Sequence, residues 1–347
     1  MATAIPRASL VPGMVPDEEL TRLWQQSIGA YFDVRTFGDP PPGPQRHTIH
    51  QYHLGQALLI DASFTHQQFH RDPVWMARHD DSDHLGLQLY LNGSNDVENG
   101  DRSFRQRPGN VFAVNLSRET HAASPGGDTL TLMLPRDLLQ AELPQLLDAS
   151  GAIFEDDSAA ALVFADHMRA LRRHVDRATT AELPAIMQGT LGLLDALTRQ
   201  RDIAAAPAQA ATLAAICRHI DRHLDNPALD IESLCRAFSC SRATLYRLFK
   251  PLGGVREHIQ RRRLVACYRA ISAPAQRHRR IFDIALDYGF VSASHFSSLF
   301  RAQFGITPRQ AREAAPRQAD PGAAGSDGDP AALMRHWAKT LARPPGG

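Results

Sequence analysis

The same short pattern occurs twice in the C-terminal third of the chain, with its two copies 51 residues apart. In each copy a serine, a good N-cap, precedes an amphipathic helix. A second short helix and a tight turn precede each serine, and this order is typical of a helix-turn-helix unit. The copies begin at Ser241, followed by apolar Leu245, Leu248 and Phe249, and at Ser292, followed by Phe296, Leu299 and Phe300. The duplication predicts two structural units of one kind.

Residues 255–272 join the two copies and have helical apolar spacing. A helix of about 18 residues is roughly 27 Å long. With the turns at its ends, it is long enough to hold two recognition helices about one turn of DNA, roughly 34 Å, apart. A single polypeptide of this design is able to contact two successive major grooves.

Charge is distributed unevenly along the 347 residues. Residues 1–212 contain 17 basic and 26 acidic side chains, a net charge of −9, whereas residues 213–317 contain 18 and 8, a net charge of +10. A basic segment of this size indicates a polyanion partner. Arginines on and after the joining helix suit phosphate contacts: Arg261, Arg262, Arg263, Arg269, Arg277, Arg279 and Arg280.

The N-terminal half has a different pattern. Leucines alternate with other residues over 85–91 and again over 130–134, which predicts strands. Asn92-Gly93 and the segment 124–128 are typical of turns or loops. The predicted fold class is α+β: a small antiparallel β-barrel or sandwich with helices, then an all-α domain of two helix-turn-helix units joined by a long helix.

The expected domains follow from these patterns. Residues 1–30 are expected to form an arm, flexible over 1–16, and a first helix. A β-rich domain over residues 31–205 follows, and a linker over 206–212 connects it to the double helix-turn-helix domain over 213–317. Residues 318–347 are expected to form a flexible tail. The apolar stripe of the helix near 181–201 either pairs with a second copy or packs on its own domain, and the sequence leaves both open.

Residues 213–315 resemble the DNA-binding domain of the AraC/XylS family of bacterial transcription regulators. Residues 31–200 resemble, more loosely, the sensor domain of one branch of that family. The resemblance rests on Arg263-Leu264, Ala266, Ile284-Ala285, Gly289-Phe290, Ser292, Ser294-His295-Phe296, Leu299-Phe300-Arg301 and Phe304-Gly305-Ile306-Thr307-Pro308, and in the sensor region on residues 104–110 and 132–139.

The polar face of the first predicted recognition helix presents Arg242, Ala243, Tyr246, Arg247 and Lys250. The resemblance implies base contacts in the first helix from Ala243, Thr244 and Arg247, and in the second from Ala293, Ser294, His295 and Ser298. Ser298 departs from the family pattern, because many members have a longer polar residue there. Phosphate contacts are expected from Ser241, Lys250, Arg261, Arg262, Arg280, Ser292 and Arg301.

The resemblance also implies double-stranded DNA, a small-molecule effector, RNA polymerase and a second copy of the chain as partners, with activation the commoner role in the family. Trp75, Tyr90 and Phe112 are candidates for an effector pocket, with barrel core as their other interpretation. The effector, the operator and the regulated genes cannot be read from the sequence. We expect no cofactor, no membrane span, a cytoplasmic location and no enzyme activity.

Two other functions remain open for the acidic half. It is either a dimerisation module that binds no ligand, or a metal-dependent cupin-like enzyme. The second alternative rests on a cluster of seven histidines within 38 residues, together with three nearby aspartates. They are His47, His50, His53, His66, His70, His79 and His84, and Asp80, Asp81 and Asp83. His50 alternates in direction with His47 and His53 on a strand, so the three cannot converge without a bulge.

Overall fold

A computed structural model describes residues 3–35, 47–78, 83–147, 149–154, 157–199, 207–250, 253–313 and 329–341. The chain divides into two compact units. The sheet unit comprises Met1–Trp75, His79–Ala205 and Gly322–Gly347, and the helical unit comprises Met76–Arg78 and Ala206–Pro321. The predicted fold class is confirmed: an antiparallel sheet with helices is followed by an all-α part. The sheet, however, is not closed into a barrel.

All strand pairs of the sheet unit are antiparallel. The main path through the sheet is β1-β3-β4-β8-β5-β7-β9, with β2 on β4 and β6 on β5. The strands are β1 (Arg7–Leu10), β2 (Asp33–Arg35), β3 (Thr48–His53), β4 (Leu58–Arg71), β5 (Leu85–Asn99), β6 (Arg102–Gln106), β7 (Val111–Asn115), β8 (Thr120–Leu134) and β9 (Gly151–Ala152).

Helices cover the sheet and make up the helical unit. They are α1 (Asp17–Ile28), α2 (Pro73–Arg78), α3 (Arg136–Glu142), α4 (Ala159–His174), α5 (Leu183–Arg199), α6 (Pro207–Arg222), α7 (Ile231–Ala237), α8 (Arg242–Phe249), α9 (Val255–Ser272), α10 (Ile281–Asp287), α11 (Ala293–Phe304), α12 (Pro308–Glu313) and α13 (Pro330–Thr340). In the ranges described above, none of these helices has the length and apolar character that a membrane span needs.

Two segments that were predicted as turns lie inside long strands. Asn92-Gly93 belongs to β5, and residues 124–128 belong to β8 opposite it. The two strands approach so closely here that a Cβ on Gly93 would lie 2.1 Å from the carbonyl oxygen of Gly126, whose own φ is +117°. The register shifts on both sides of this point. The glycines therefore permit a bulged close approach of two strands, not a chain reversal.

The prediction of a flexible arm over residues 1–16 is wrong for its central part. Residues 7–10 form β1, which pairs with β3 from Arg7 opposite Tyr52 to Leu10 opposite Ile49. Ala8 and Leu10 are buried on the core side of this strand. The strand is only four residues long, and four residues are too few for a periodicity to be recognised in the sequence.

The C-terminal segment also differs from the predicted flexible tail. α13 belongs to the sheet unit, where it packs on α1 and β1. Met334 and two alanines four residues or fewer from it, Ala331 and Ala338, are buried in the same core as Trp24. The small alanine side chains let the helix approach its neighbours closely. Burial of this apolar face holds α13 on the sheet unit, whereas the sequence predicted a flexible tail here.

Two buried polar side chains bind the backbone of α13. Nε2 of His84 lies 2.9 Å from the carbonyl oxygen of Ala338, and the Gln51 amide donates to the carbonyl of Met334 at 3.3 Å. Both side chains are fully buried. Because a buried polar group without a partner is costly, these bonds require the helix to be in place.

Candidate nucleic-acid interface

The first helix-turn-helix unit consists of α7 and α8. Asp230 and Ser233 form a reciprocal cap at the start of α7: the Asp230 carboxylate accepts the Ser233 N–H at 2.8 Å, and the Ser233 hydroxyl accepts the Asp230 N–H at 3.0 Å. The turn passes through Ser239, whose φ is +47°. The Ser241 hydroxyl then accepts the Thr244 N–H and starts α8. These local bonds fix the angle between the two short helices.

The second unit consists of α10 and α11. Its turn contains Gly289 at φ +81°, where a Cβ would lie 2.9 Å from Nη1 of Arg263. The Ser292 hydroxyl accepts the His295 N–H at 3.3 Å, and α11 ends at Gly305 in the left-handed conformation. Cap, turn and terminating glycine match the positions that the sequence predicts.

The long helix α9 is shared by both units. Near its start, Val255 and Ile259 are buried in one cluster with the apolar faces of α6, α7 and α8. Near its end, the Tyr268 ring stacks on Phe300 of α11, with centroids 5.6 Å apart and an interplanar angle of 2°. Arg263, between them, donates to the carbonyls of Leu224 and Asn226. The helical unit is therefore one packed body with α8 and α11 on a common support.

The predicted base-facing side chains lie away from the core of the helical unit. All are exposed except Thr244, which is half-buried: Arg242, Ala243, Tyr246 and Arg247 on α8, and Ala293, Ser294, His295 and Ser298 on α11. Arg242 forms an ion pair with Glu232 of α7. Glu232 was not anticipated as a partner, although its position two residues into a helix start is a common one for an acidic residue.

The predicted phosphate contacts fall into three groups. Lys250, Arg280 and Arg301 have exposed side chains. The hydroxyls of Ser241 and Ser292 accept the helix-capping hydrogen bonds. Arg261 is half-buried, and burial lowers its pKa.

Arg262 is engaged within the helical unit. Its guanidinium pairs with Asp221 of α6 at 2.6 Å. A phosphate contact from this side chain requires that ion pair to exchange, which the sequence pattern did not indicate. The exposed side chains of Lys250, Arg280 and Arg301 are therefore the better candidates for phosphate contact.

The three candidate effector residues do not line a common cavity in the structure. Tyr90 lines an interior cavity of about 60 Å³ in the sheet unit. The side chain of Trp75 lies under the guanidinium of Arg71, and the buried Phe112 ring stacks on Phe104. Neither of these two lines the cavity. Phe69 also lines the cavity, as do Phe64, Gln88, Asn95 and Met133, which the sequence did not single out as pocket residues.

The histidine-rich segment is dispersed over the sheet unit. His79, Asp80 and Asp81 lie outside the described residues. Elsewhere, His47 stacks on Trp24, His50 contacts the Ser9 hydroxyl, His53 accepts the Gly55 N–H, His70 meets His121, and His84 binds the backbone of α13. Among the residues the structure describes, no group of three or more His, Cys, Asp or Glu side chains is arranged to hold a metal ion.

Two capped recognition helices on one connecting helix, with polar exposed faces, define a helix-turn-helix DNA-binding protein. Comparison with known proteins agrees with this class. A helix-turn-helix domain model matches residues 234–314, and an AraC-binding-like domain model matches residues 24–197. The chain belongs to the AraC family of DNA-binding transcription regulators, with an AraC-binding-like domain before its DNA-binding domain.

Individual relatives match this chain over different shares of its length. The regulatory protein SoxS of Escherichia coli (strain K12) is 37% identical over 95 residues, which are 27% of this chain and 85% of SoxS. The XylDLEGF operon transcriptional activator of Pseudomonas putida is 32% identical over 82 residues, 23% of this chain and 26% of that protein. The solved structure of the AraC-like transcriptional activator CuxR matches at a TM-score of 0.49 and 23% identity, over 76% of this chain and 95% of that one.

Proposed function

We propose that this regulator binds its operator with α8 and α11 in two successive major grooves. The observation that carries the proposal is the shared support: both recognition helices pack on α9, through Ile259 at one end and Tyr268 at the other. Their separation is therefore set by protein packing before DNA is bound. Preorganisation of this kind lowers the entropic cost of binding two grooves at once.

Within this interface, Arg247 recognises a guanine edge, because its exposed guanidinium suits the bidentate contact to O6 and N7. Ala243, Thr244 and Tyr246 contact neighbouring bases, and Arg242 joins them when its pair with Glu232 opens. On α11, Ala293, Ser294, His295 and Ser298 face the second groove. Since these side chains are shorter, the second groove is read more by shape and water than by direct bonds. Lys250, Arg280 and Arg301 bind phosphates, and Arg261, Arg262, Ser241 and Ser292 are secondary contacts.

A DNase footprint of the full chain on sequences selected from random DNA tests this proposal. We expect two protected patches per bound chain on one face of the duplex, about one helical turn apart. Salt-sensitive binding without a selected sequence would contradict it, because a general phosphate contact has no preferred site.

The sheet unit senses a small apolar effector in the cavity lined by Phe64, Phe69 and Tyr90. Gln88 and Asn95 supply polar contacts at the cavity wall, and the Asn95 amide already donates to Gln106. At about 60 Å³ the cavity is far smaller than the roughly 300 Å³ of typical ligand pockets. The effector must therefore displace side chains, and this displacement couples binding to a change in the sheet unit.

A thermal-shift screen of small apolar compounds tests the sensor proposal, with Ala122→Phe as a variant that fills the cavity. A true effector raises the melting temperature of the natural protein and not of the variant. A compound that raises the melting temperature of both proteins equally would contradict binding in this cavity.

We further infer that the regulator works as a homodimer and activates transcription through RNA polymerase. Of the two interpretations of the apolar stripe of α5, the burial of Met187 and Leu194 in the single chain favours packing on its own chain. Sedimentation of the protein on one selected operator, followed by transcription in vitro with purified polymerase, separates the possibilities. Transcript loss on addition of the regulator would identify a repressor instead.

A further inference from the structure

His70 and His121 meet on the outer face of the sheet unit. They are directly opposite one another on β4 and β8, and their Nδ1 atoms are 3.1 Å apart. Their chain neighbours Phe69 and Ala122 line the interior cavity. Since successive side chains of a strand point to opposite faces, the two imidazoles project outward. They border an open groove of about 510 Å³ that Glu98 also lines.

The outer ring nitrogens of both imidazoles lie beside side-chain oxygens. Nε2 of His70 lies 3.1 Å from Oε1 of Gln68, and Nε2 of His121 lies 3.3 Å from Oε1 of Glu119. Amide and carboxylate oxygens accept hydrogen bonds, and in the tautomer that uses both of these acceptors each Nε2 is the donor and carries the proton. Each neutral ring then has its lone pair on Nδ1.

Two Nδ1 lone pairs consequently face one another at hydrogen-bond distance with no proton between them. This arrangement is repulsive unless a cation lies between the two nitrogens. Two imidazole nitrogens bound to one tetrahedral zinc ion, at about 2.0–2.1 Å each, stand about 3.3 Å apart. The observed separation of 3.1 Å is close to that value.

We propose that His70 and His121 form a binding site for a divalent transition metal ion of the zinc class, with their Nδ1 atoms as ligands. Gln68 and Glu119 orient the rings through Nε2, as oxygen acceptors commonly do for metal-bound histidine. Water fills the remaining coordination positions. Glu98, opposite His121 on β5, adds negative charge to the groove. The site differs from the cupin-like centre considered for the sequence, because it lies on the outer face and carries no reaction.

The expected consequence is a zinc-dependent clamp between β4 and β8. A bound ion at free concentration c stabilises the folded sheet unit by RT ln(1 + c/Kd), which grows with the logarithm of the metal concentration once that exceeds the dissociation constant. Each ligand histidine is adjacent in the chain to a residue that lines the cavity, so a bound metal ion is also able to alter the shape of the cavity. An effect on effector binding would rest on the proposed sensor function.

Isothermal titration of the full untagged chain with ZnCl₂ tests the site. We expect one binding event that weakens at least tenfold in both His121→Ala and His70→Ala. Glu119→Ala should weaken it as well, because the oxygen acceptor that orients the His121 ring is lost. His336→Ala, at an exposed histidine of α13, is the matched control and should bind as the natural protein does.

Nitrogen NMR of the imidazole rings is the second measurement, and it does not depend on any variant folding. It should find both rings in the Nε2–H form and a zinc-induced shift of both Nδ1 resonances. Zinc binding that is unchanged in His121→Ala would overturn the proposal and direct attention to the stacked His219 and His223. A proton shared between the two Nδ1 atoms, with no response to zinc, would overturn it equally.

Discussion

The ring of Tyr268, on α9, lies parallel to the ring of Phe300, on α11, with an interplanar angle of 2° and centroids 5.6 Å apart. The same tyrosine also packs on Phe304, at 4.9 Å between centroids. All three rings are buried. Tyr268 therefore contributes to the orientation of the second recognition helix from the helix that connects it to the first.

Replacing Tyr268 with alanine should therefore loosen α11. Truncation of a buried aromatic ring costs about 3–5 kcal/mol in the free energy of unfolding. We expect urea unfolding followed by circular dichroism to show this loss, together with a footprint that retains only the α8 patch. Tyr268→Phe keeps the stacked ring and is the control. Two equally weakened patches would argue against separate support of the two helices.

Arg247→Ala and Arg280→Ala should change DNA binding in different ways. In the proposed interface Arg247 contacts a base, so its loss should weaken binding to the selected operator by about 1–3 kcal/mol and relax the preference at one base pair. Loss of Arg280 removes a phosphate contact, so binding to all sequences should weaken and the slope of log K against log salt should fall by about 0.9. Salt titrations on operator and random DNA measure both. Identical behaviour of the two variants would refute this division of roles.

Gly289→Ala should cost more than Gly305→Ala. Both glycines have positive φ, +81° and +69°, so each alanine carries a backbone strain of about 1–2 kcal/mol. Only at Gly289 would the new Cβ also displace Arg263, whose side chain bonds Leu224 and Asn226. We expect an additional loss of about 1 kcal/mol in chemical denaturation. Equal losses would show that Arg263 moves aside without cost.

Met334→Ala tests whether α13 is part of the sheet unit. Met334 is fully buried, and its truncation should destabilise the unit by about 2–5 kcal/mol. Leu333→Ala, at an adjacent exposed position, should change stability by less than about 0.5 kcal/mol. All three tryptophans, Trp24, Trp75 and Trp337, lie in the sheet unit, so their fluorescence reports its unfolding alone. If both variants unfold like the natural protein, α13 contributes nothing to the fold.

The sheet unit should lose stability in mild acid. Burial lowers the pKa of His47 from 6.5 to about 4. Between these values the unfolded chain binds a proton at this residue and the folded chain does not, so stability falls as pH falls from about 6.5 to 4. The loss is about 3 kcal/mol when complete.

His47→Phe keeps a ring that can stack on Trp24 and cannot titrate, so the dependence of its unfolding free energy on pH should be shallower over that range. Tryptophan fluorescence during urea unfolding at several pH values measures both proteins. Parallel pH profiles would assign the acid sensitivity to other groups.

The helical unit was predictable because its signals are local. Ser241 and Ser292 start their helices with bonds to residues three positions away, and Gly289 and Gly305 end theirs within one turn. Such bonds leave a readable pattern in a short stretch of sequence. The sequence did not predict the ion-pair partners of Arg242 and Arg262. An arginine on the polar face of a helix gives the same sequence pattern whether or not a carboxylate pairs with it.

The sheet unit was less predictable because its decisive contacts are distant in sequence. The pair Asn92-Gly93 is typical of a turn, but glycine equally permits a close approach of two strands. Only the position of Gly126 on the neighbouring strand shows that a close approach, and not a turn, occurs here. His84 binds a carbonyl 254 residues away. His70 and His121 meet only because of the register of β4 and β8, which residue spacing does not specify.

Because α13 returns to the core of the sheet unit, the DNA-binding part of this regulator is an insertion in the chain of the other domain. A single cut between the domains cannot release it, since the second connection still holds. Any movement of the sheet unit acts on the DNA-binding part through two chain connections instead of one. A reporter fused after α13 is likewise attached to the sheet unit and not to the DNA-binding part.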